Sequence, residues 1–280
     1  MERTRTKSCH AKTSRSLLSS KIATLPVLSQ SFEVGFLKVR YYSLFFVVGV
    51  VLAYFIAKAR AIKRGITEIV FDEIIFWTIL FGFISARLYY VFFYFDQYKS
   101  NLLEIFMVWH GGLAIYGGVI GGIVALYFLS KKHHLNFFTL SDAIVFALPL
   151  AQSIGRLGNF FNYEAFGKPT NLPWKMFVPK EFRPEGFASF SYFQPTFAYE
   201  ILFNLFVFFL LWRIERKGIK PGVLTGTYLV LYSIGRFFIE GLRLDSAFLG
   251  SFRVDQIVAL LLIFVGLGII MKRYVAQSNQ

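Results

Sequence analysis

An all-α polytopic membrane protein with seven transmembrane helices is the fold class this sequence predicts, and three observations predict it. The 280 residues are 56% hydrophobic and only 16% charged, with 35 Phe, a composition outside the range of soluble domains. Seven segments approach the roughly 20 apolar residues that a ~30 Å hydrocarbon core demands. Basic runs recur after every second segment, as the positive-inside rule requires. One membrane domain accounts for all of it.

The expected spans lie at about 41–59, 72–95, 113–130, 139–158, 197–213, 222–240 and 255–271. Lys58, Arg60, Lys63 and Arg64 close the first, and Lys131 and Lys132 close the third. Arg213, Arg216, Lys217 and Lys220 follow the fifth, and Lys272 and Arg273 follow the seventh. These four ends read as cytoplasmic, which leaves the N-terminus and the remaining loops external. The longest external segment, about 160–196, holds Pro169, Pro173, Pro179, Pro184 and many aromatics. It reads as an ordered cap between the fourth and fifth helices. Pro221 suits a first helical turn, and Asp142 and Asp255 read as caps near helix starts.

Residues 1–30 form a basic N-terminal extension and residues 31–280 the membrane domain. Arg3, Arg5, Lys7, Lys12, Arg15 and Lys21 would favour the cytoplasm, against the rest of the topology. A transit peptide or a start site assigned too early both fit, and no function is assigned to it. The formal charge of +14 resides mostly in this tail and in the short runs between spans, so nucleic-acid binding is not expected. The lone Cys9 allows no intrachain disulfide, and no zinc spacing occurs. His133 and His134 read as part of a solvated basic turn.

Ionised residues inside apolar segments mark the candidate site, because a charge at the bilayer centre costs ~2.5–3.5 kcal/mol on insertion scales. In Gly155–Gly167, Arg156 and Asn159 are three apart and share a helix face. Arginine offers a permanently charged fork suited to phosphate, and Asn159 and Asn162 add neutral hydrogen bonds. Glu164 has two readings, orienting Arg156 or binding a hydroxyl; the bland alternative is an Arg156–Glu164 pair holding the loop. Tyr232, Arg236 and Glu240 are spaced by four and form a polar stripe that Arg243 continues. An Arg236–Glu240 pair is expected, yet apolar residues would insert at lower cost, so the pair needs a reason.

Further polar residues converge on the outer half. Gly111 and Gly112 bring bare backbone close to a headgroup or phosphate, with His110 beside them. Gly117/Gly121 and Gly118/Gly122 are small-xxx-small pairs that serve helix packing. Gln194-Pro195-Thr196 starts the fifth helix, followed by Tyr199 as an interfacial anchor and Glu200 just inside. Arg40 and Tyr42 open the first span, and Arg87 sits too deep in the second to snorkel comfortably. The inventory suits a phosphate-bearing amphiphile. It lacks a lipase elbow, a zincin motif and a Walker loop. The alternatives are a transporter or a binding protein for an anionic lipid, but no internal repeat of the kind transporters carry is evident.

Gly155–Gly167 closely resembles the G-R-x-G-N-F-x-N-x-E-x-x-G signature of the prolipoprotein diacylglyceryl transferases. From about residue 22 onward the other motifs occur in that family's order: Arg40 with Tyr42, Arg87, Gly111-Gly112, Thr196 to Glu200, and the Tyr232/Arg236/Glu240/Arg243 stripe. The resemblance implies an inner-membrane enzyme that moves diacylglyceryl from phosphatidylglycerol to the lipobox cysteine of a prolipoprotein. A thioether forms and glycerol 1-phosphate leaves. No metal or cofactor is implied. The resemblance further implies Arg156 and Arg236 as the essential arginines for phosphate, and Asn159 and Gly167 as headgroup positions. Glu164 and Glu240 would order the arginines or take a proton. Two departures stand out. Tyr116 replaces a histidine that many members carry and that has been cast as the thiol's base; a phenol with a pKa near ~10 is a poor acceptor. The base is then the substrate phosphate, Glu240 or another group. Gln194 stands where histidine is common, and glutamine cannot act as a base.

Overall fold

The computed structural model describes residues 29–35 and 37–278. Almost all of the basic extension, Cys9 included, lies outside the described residues. The chain is all-helical in its main elements. Among the described residues the seven α-helices are α1 (Tyr41–Lys63), α2 (Glu68–Phe93), α3 (Ile115–Lys132), α4 (Phe137–Asn162), α5 (Thr196–Glu215), α6 (Val223–Glu240) and α7 (Val254–Ser278). Each overlaps one expected span. Five hold stretches long and apolar enough to cross a membrane: Tyr41–Lys63, Glu68–Phe93, Phe137–Asn162, Thr196–Glu215 and Val254–Arg273. The other two, α3 and α6, have 18 residues each. The Lys131 and Lys132 end of α3 and the Arg236 and Glu240 of α6 fall inside that short length.

One end of the bundle collects the basic helix ends. Arg64 Nη2 lies 3.0 Å from Glu215 Oε1, and Arg60 pairs with the same carboxylate. Lys132 Nζ sits 2.8 Å from Glu73, and Lys58 Nζ 2.9 Å from Asp72. Arg273 stacks 4.3 Å over the Phe138 ring. The C-terminal ends of α1, α3, α5 and α7 therefore meet the N-terminal ends of α2 and α4 there.

Asp142 shows how this end is locked. Its carboxylate accepts Gly222 N–H and Thr225 N–H, each at 2.8 Å, and the Thr225 hydroxyl. It is a cap, as expected, but it caps α6 from α4 and not its own helix. Those two buried donors have no intrahelical partner because they belong to the first turn. Asp142→Ala is expected to cost ~2–3 kcal/mol, seen as a lowered midpoint of thermal unfolding in detergent. An unchanged midpoint would remove the cap from the account.

Small residues set the α2–α3 contact, as the Gly spacing predicts. A Cβ at Gly117 would fall 2.6 Å from Ser85 O, and one at Gly82 would fall 3.2 Å from Gly118 O. Only residues without side chains let the two backbones approach so closely.

Short strands pair at the opposite end. β1 (Ser31–Val34) and β2 (Leu37–Arg40) form an antiparallel hairpin that leads into α1. Gln30 Nε2 reaches the Asn162 carbonyl at 3.3 Å, and Tyr41 stacks on Phe161 at 4.7 Å. The hairpin thus rests on the far end of α4. Between α4 and α5 lies an ordered cap carrying β3 (Met176–Phe177) and β4 (Tyr192–Phe193). Its core is Tyr163, Phe166, Met176, Val178, Phe193 and Phe197. The helix α4 runs to Asn162, four residues past its expected end, so the signature lies mostly on helix. The last strand pair, β5 (Phe248–Leu249) with β6 (Phe252–Arg253), precedes α7.

Candidate functional site

The cap end of the bundle holds a cluster of arginines and carboxylates drawn from four helices. Glu200, one turn into α5 and 5% exposed, is its centre. Its Oε2 lies 2.5 Å from Arg156 Nε of α4. Its Oε1 takes Arg236 Nη1 of α6 at 3.0 Å and Arg243 Nη1 at 3.3 Å. Arg236 also meets Glu240 Oε2 at 2.8 Å and pairs with Asp255 of α7. The Tyr116 hydroxyl, at the start of α3, donates to the other oxygen of Asp255. Both arginines of the two sequence motifs thus converge on one glutamate, and Tyr116 joins them through Asp255.

The expected Arg236–Glu240 pair is present, and the i, i+4 spacing of the helix delivers it. Glu240 Oε2 makes this contact by proximity without a hydrogen bond of good geometry. Arg156 and Asn159 share a face, with Nη1 to Oδ1 at 3.3 Å. Arg156 retains one amino group, Nη2, with no acceptor in the protein among the described residues. The side chain is 27% exposed, so that donor faces an accessible space. A Cβ built on neighbouring Gly155 would meet nothing within 4 Å.

Three expectations need correction. Glu164 does not pair with Arg156. It accepts Asn159 Nδ2 at 2.8 Å and Asn162 Nδ2 at 3.1 Å, and so reaches Arg156 only through Asn159. Asp255 is not a plain cap: its two oxygens go to Tyr116 and Arg236. Arg87 is 6% exposed and its donors are spent on backbone. Nε reaches Ile105 O at 2.8 Å, Nη1 reaches Gly112 O at 2.9 Å and also Gly111 O, and Nη2 reaches Glu104 O. It fastens the loop before α3 to α2, and its carbonyl partners are what make its depth tolerable.

His110, Gly111 and Gly112 stand apart from Arg156, Arg236 and Arg243. They line a separate cavity of about 220 Å³ with Arg87, Tyr90 and Glu104. His110 Nδ1 meets Glu104 at 2.8 Å. Gly112 has a φ of +77°, and a Cβ there would strike the Arg87 guanidinium at 2.5 Å, so glycine is required for that clamp.

The remaining named residues pack or fasten neighbouring elements around the cluster. Tyr42 packs its backbone on Gly158, where a Cβ would come within 2.9 Å. Tyr232 lies one turn before Arg236 and stacks on Tyr228 at 5.5 Å. With Glu200 and Arg236 it lines a slot of only about 10 Å³. Tyr199 accepts Trp174 Nε1 at 2.8 Å, tying α5 to the cap. Gly167 N donates to Gln194 O at 2.8 Å, and a Cβ at Gly167 would lie 2.7 Å from Leu242 O. The glycine lets the cap cross directly over Leu242 and Arg243. Ala165 holds a left-handed φ of +54°, sparsely populated for a residue with a Cβ. Thr196 Oγ1 at 2.6 Å and Phe197 N at 3.1 Å both bind its carbonyl and fix it there. That is a structural reason for the Gln194-Pro195-Thr196 motif.

Arg243 lies outside the helices. Asp245 receives its Nε at 2.8 Å and its Nη2 at 2.6 Å. Partial burial works against the Asp245 charge, but the Arg243 hydrogen bonds outweigh it and hold the carboxyl below its ordinary value. Arg253, missed in the sequence, donates to Arg243 O at 2.9 Å and to Glu240 O. It closes the turn that presents Arg243.

Chemically, the arrangement sets permanently charged arginine forks among carboxylates. Arginine forks in a water-poor setting stabilise a phosphate far better than they would in water. The present carboxylates keep those forks neutralised and ordered.

The family model for prolipoprotein diacylglyceryl transferase matches residues 29–272. Several curated proteins described as phosphatidylglycerol–prolipoprotein diacylglyceryl transferase are similar along most of their length. That of Fervidobacterium nodosum is 46% identical over 237 residues, 84% of this chain and 81% of the relative. That of Synechocystis sp. is 42% identical over 254 residues, 89% and 90%. That of Thermotoga maritima is 45% identical over 238 residues, 84% and 81%.

Proposed function

The chain belongs to the prolipoprotein diacylglyceryl transferase family, and on that premise we propose how its arginine cluster performs the reaction. The enzyme transfers the diacylglyceryl group of phosphatidylglycerol to a prolipoprotein, the lipidation step of lipoprotein maturation. The acceptor is a lipobox cysteine thiol. The sulfur attacks the glyceryl CH2, a C–S bond forms, and the C–O bond to phosphate breaks. Its electron pair leaves with glycerol 1-phosphate.

The observation that carries this reading is the sharing of Glu200 by Arg156 and Arg236. The bridge holds two guanidinium planes close enough to grip one phosphate. Arg156 offers its uncommitted Nη2, and Arg236 takes the charge that grows on the leaving oxygen. Asn159 and Gly167 flank the headgroup, with Asn162 and Glu164 supporting Asn159. Glu240 and Glu200 order Arg236, Arg243 adds positive charge at the mouth, and Tyr42, Tyr199 and Tyr232 wall the site. His110, Gly111, Gly112 and Arg87 serve one step out, by shaping the loop before α3.

All seven helices cross the bilayer in this reading, α3 and α6 included. The basic ends gather at the cytoplasmic face. The hairpin, the cap within 160–196 and the arginine cluster lie on the external side of a bacterial inner membrane. The N-terminal side of the domain is then external and the C-terminus cytoplasmic. The charges within α3 and α6 are tolerable because they lie at helix ends or have ionic partners.

The test is release of glycerol phosphate from headgroup-labelled phosphatidylglycerol by protein in detergent with a lipobox peptide. Release should depend on the peptide cysteine, vanish with Cys→Ala peptide, and fall ~10²-fold or more in Arg156→Ala. Release that ignores the cysteine would overturn the transferase assignment. Full activity in the variant would remove Arg156 from the phosphate site.

A further inference from the structure

Of the three carboxylates on Arg236, two are sealed and one is not. Glu200 and Glu240 side chains are 5% and 2% exposed, whereas Asp255 is 31% exposed. Glu200 is further held by Arg156 and Arg243, so it cannot leave without undoing three ion pairs. Asp255 has one ionic partner, Arg236, and one neutral one, Tyr116. It sits in the first turn of α7, on a different helix from every other member of the cluster. The lipid phosphate needs donors on Arg236, and both terminal amino groups of that side chain already face carboxylates. The carboxylate that can yield is Asp255.

We infer that Asp255 holds the phosphate position on Arg236 until the lipid arrives, and then receives the thiol's proton through Tyr116. The inference rests on the transferase reading above. Displacement by phosphate strips Asp255 of the cation that stabilises its charge, so its affinity for a proton rises. The Tyr116 hydroxyl already points its hydrogen at Asp255, which leaves the phenolic lone pairs for the incoming thiol. The S–H bond breaks, its proton goes to the Tyr116 oxygen, and the Tyr116 proton passes to Asp255. The sulfur forms its bond to the glyceryl carbon, and the C–O electron pair leaves on the phosphate, held by Arg236 and Arg156. Asp255 then returns its proton to the departing phosphate or to water and pairs with Arg236 again. Tyrosine need not be a base in its own right; it passes protons to one. A binding event thereby prepares the acceptor only when the second substrate is in place.

The experiment compares wild type, Asp255→Asn, Asp255→Glu and Tyr116→Phe with two lipobox peptides, one carrying cysteine and one selenocysteine. A selenol is ionised at neutral pH and needs no acceptor. With the cysteine peptide, Asp255→Asn and Tyr116→Phe should each lose ~10²-fold in kcat, while Asp255→Glu keeps most of it. KM for phosphatidylglycerol should fall in Asp255→Asn, since the competing anion is gone. The selenocysteine peptide should bring both slow variants to within about tenfold of wild type. Equal losses with both peptides, or a raised KM for the lipid, would reduce Asp255 to a structural ion pair and overturn the inference. Unchanged kcat with the cysteine peptide would do the same. Should Asp255→Asn not fold, Tyr116→Phe with the two peptides decides. Wild type inactive with either peptide would sink the transferase reading itself, a distinct result.

Discussion

Arg236→Ala is expected to lower kcat for diacylglyceryl transfer by ~10³-fold or more, on the scale of arginines that stabilise phosphoryl charge elsewhere. The leaving group develops charge on an oxygen that only a preorganised cation can meet in a dry site. Arg236 is preorganised because Glu200 and Glu240, both sealed from solvent, hold its plane. Arg236→Lys is the informative companion. A lysine keeps the charge, and so keeps the three carboxylates neutralised, but it has no planar fork. Its fold should survive, with a loss of at least ~10² in kcat, the cost of a misplaced contact. The measurement is single-turnover transfer beside thermal unfolding of each variant. Near-native turnover in the lysine variant would show that charge alone suffices and that the fork geometry is irrelevant.

Glu200→Gln should have the larger effect on stability. One carboxylate serves Arg156, Arg236 and Arg243, and without its charge three guanidinium groups face each other in a buried space. Breaking a buried pair by removing one partner costs ~3–5 kcal/mol. The unfolding midpoint in detergent should drop sharply. Added phosphatidylglycerol should raise it more than it raises the wild-type midpoint, since phosphate replaces the missing anion by mass action. A variant as stable as wild type, or indifferent to the lipid, would show that Glu200 is not the common anion.

The helices were legible because bilayer thickness and loop charge leave a strong record in sequence. All seven expected spans overlap observed helices, and the glycine spacing in α3 correctly announced close packing on α2. The arginines were legible for the same energetic reason: a charge in an apolar run is conspicuous. Their partners were not. Arg156 and Glu164 are near in sequence and suggested each other, yet α4 continues to Asn162 and carries Glu164 past the guanidinium toward Asn159 and Asn162. The carboxylate that reaches Arg156 comes from α5. Asp255 opens a helix, where an acid needs no special explanation, and its role depends on α3, α6 and α7 meeting at one point. Arg87 stood out because a buried cation demands acceptors. Backbone carbonyls met that demand, and carbonyl direction is invisible in a string of residue types.

The sharing of Glu200 also bears on how the protein enters the membrane during synthesis. Arg156 is carried by α4 and Glu200 by α5, so neither residue has its ionic partner on its own helix. Each must be threaded into the bilayer with its charge unmatched, and neutralisation arrives only when the later helix settles against the earlier one. In contrast, α6 carries Arg236 and Glu240 one turn apart, already paired within the helix. The order of synthesis therefore leaves α4 as the helix most in need of a neighbour, and α5 as the segment whose arrival commits it. A cluster built this way doubles as a checkpoint on assembly, because its ion pairs exist only in chains whose helices have found one another.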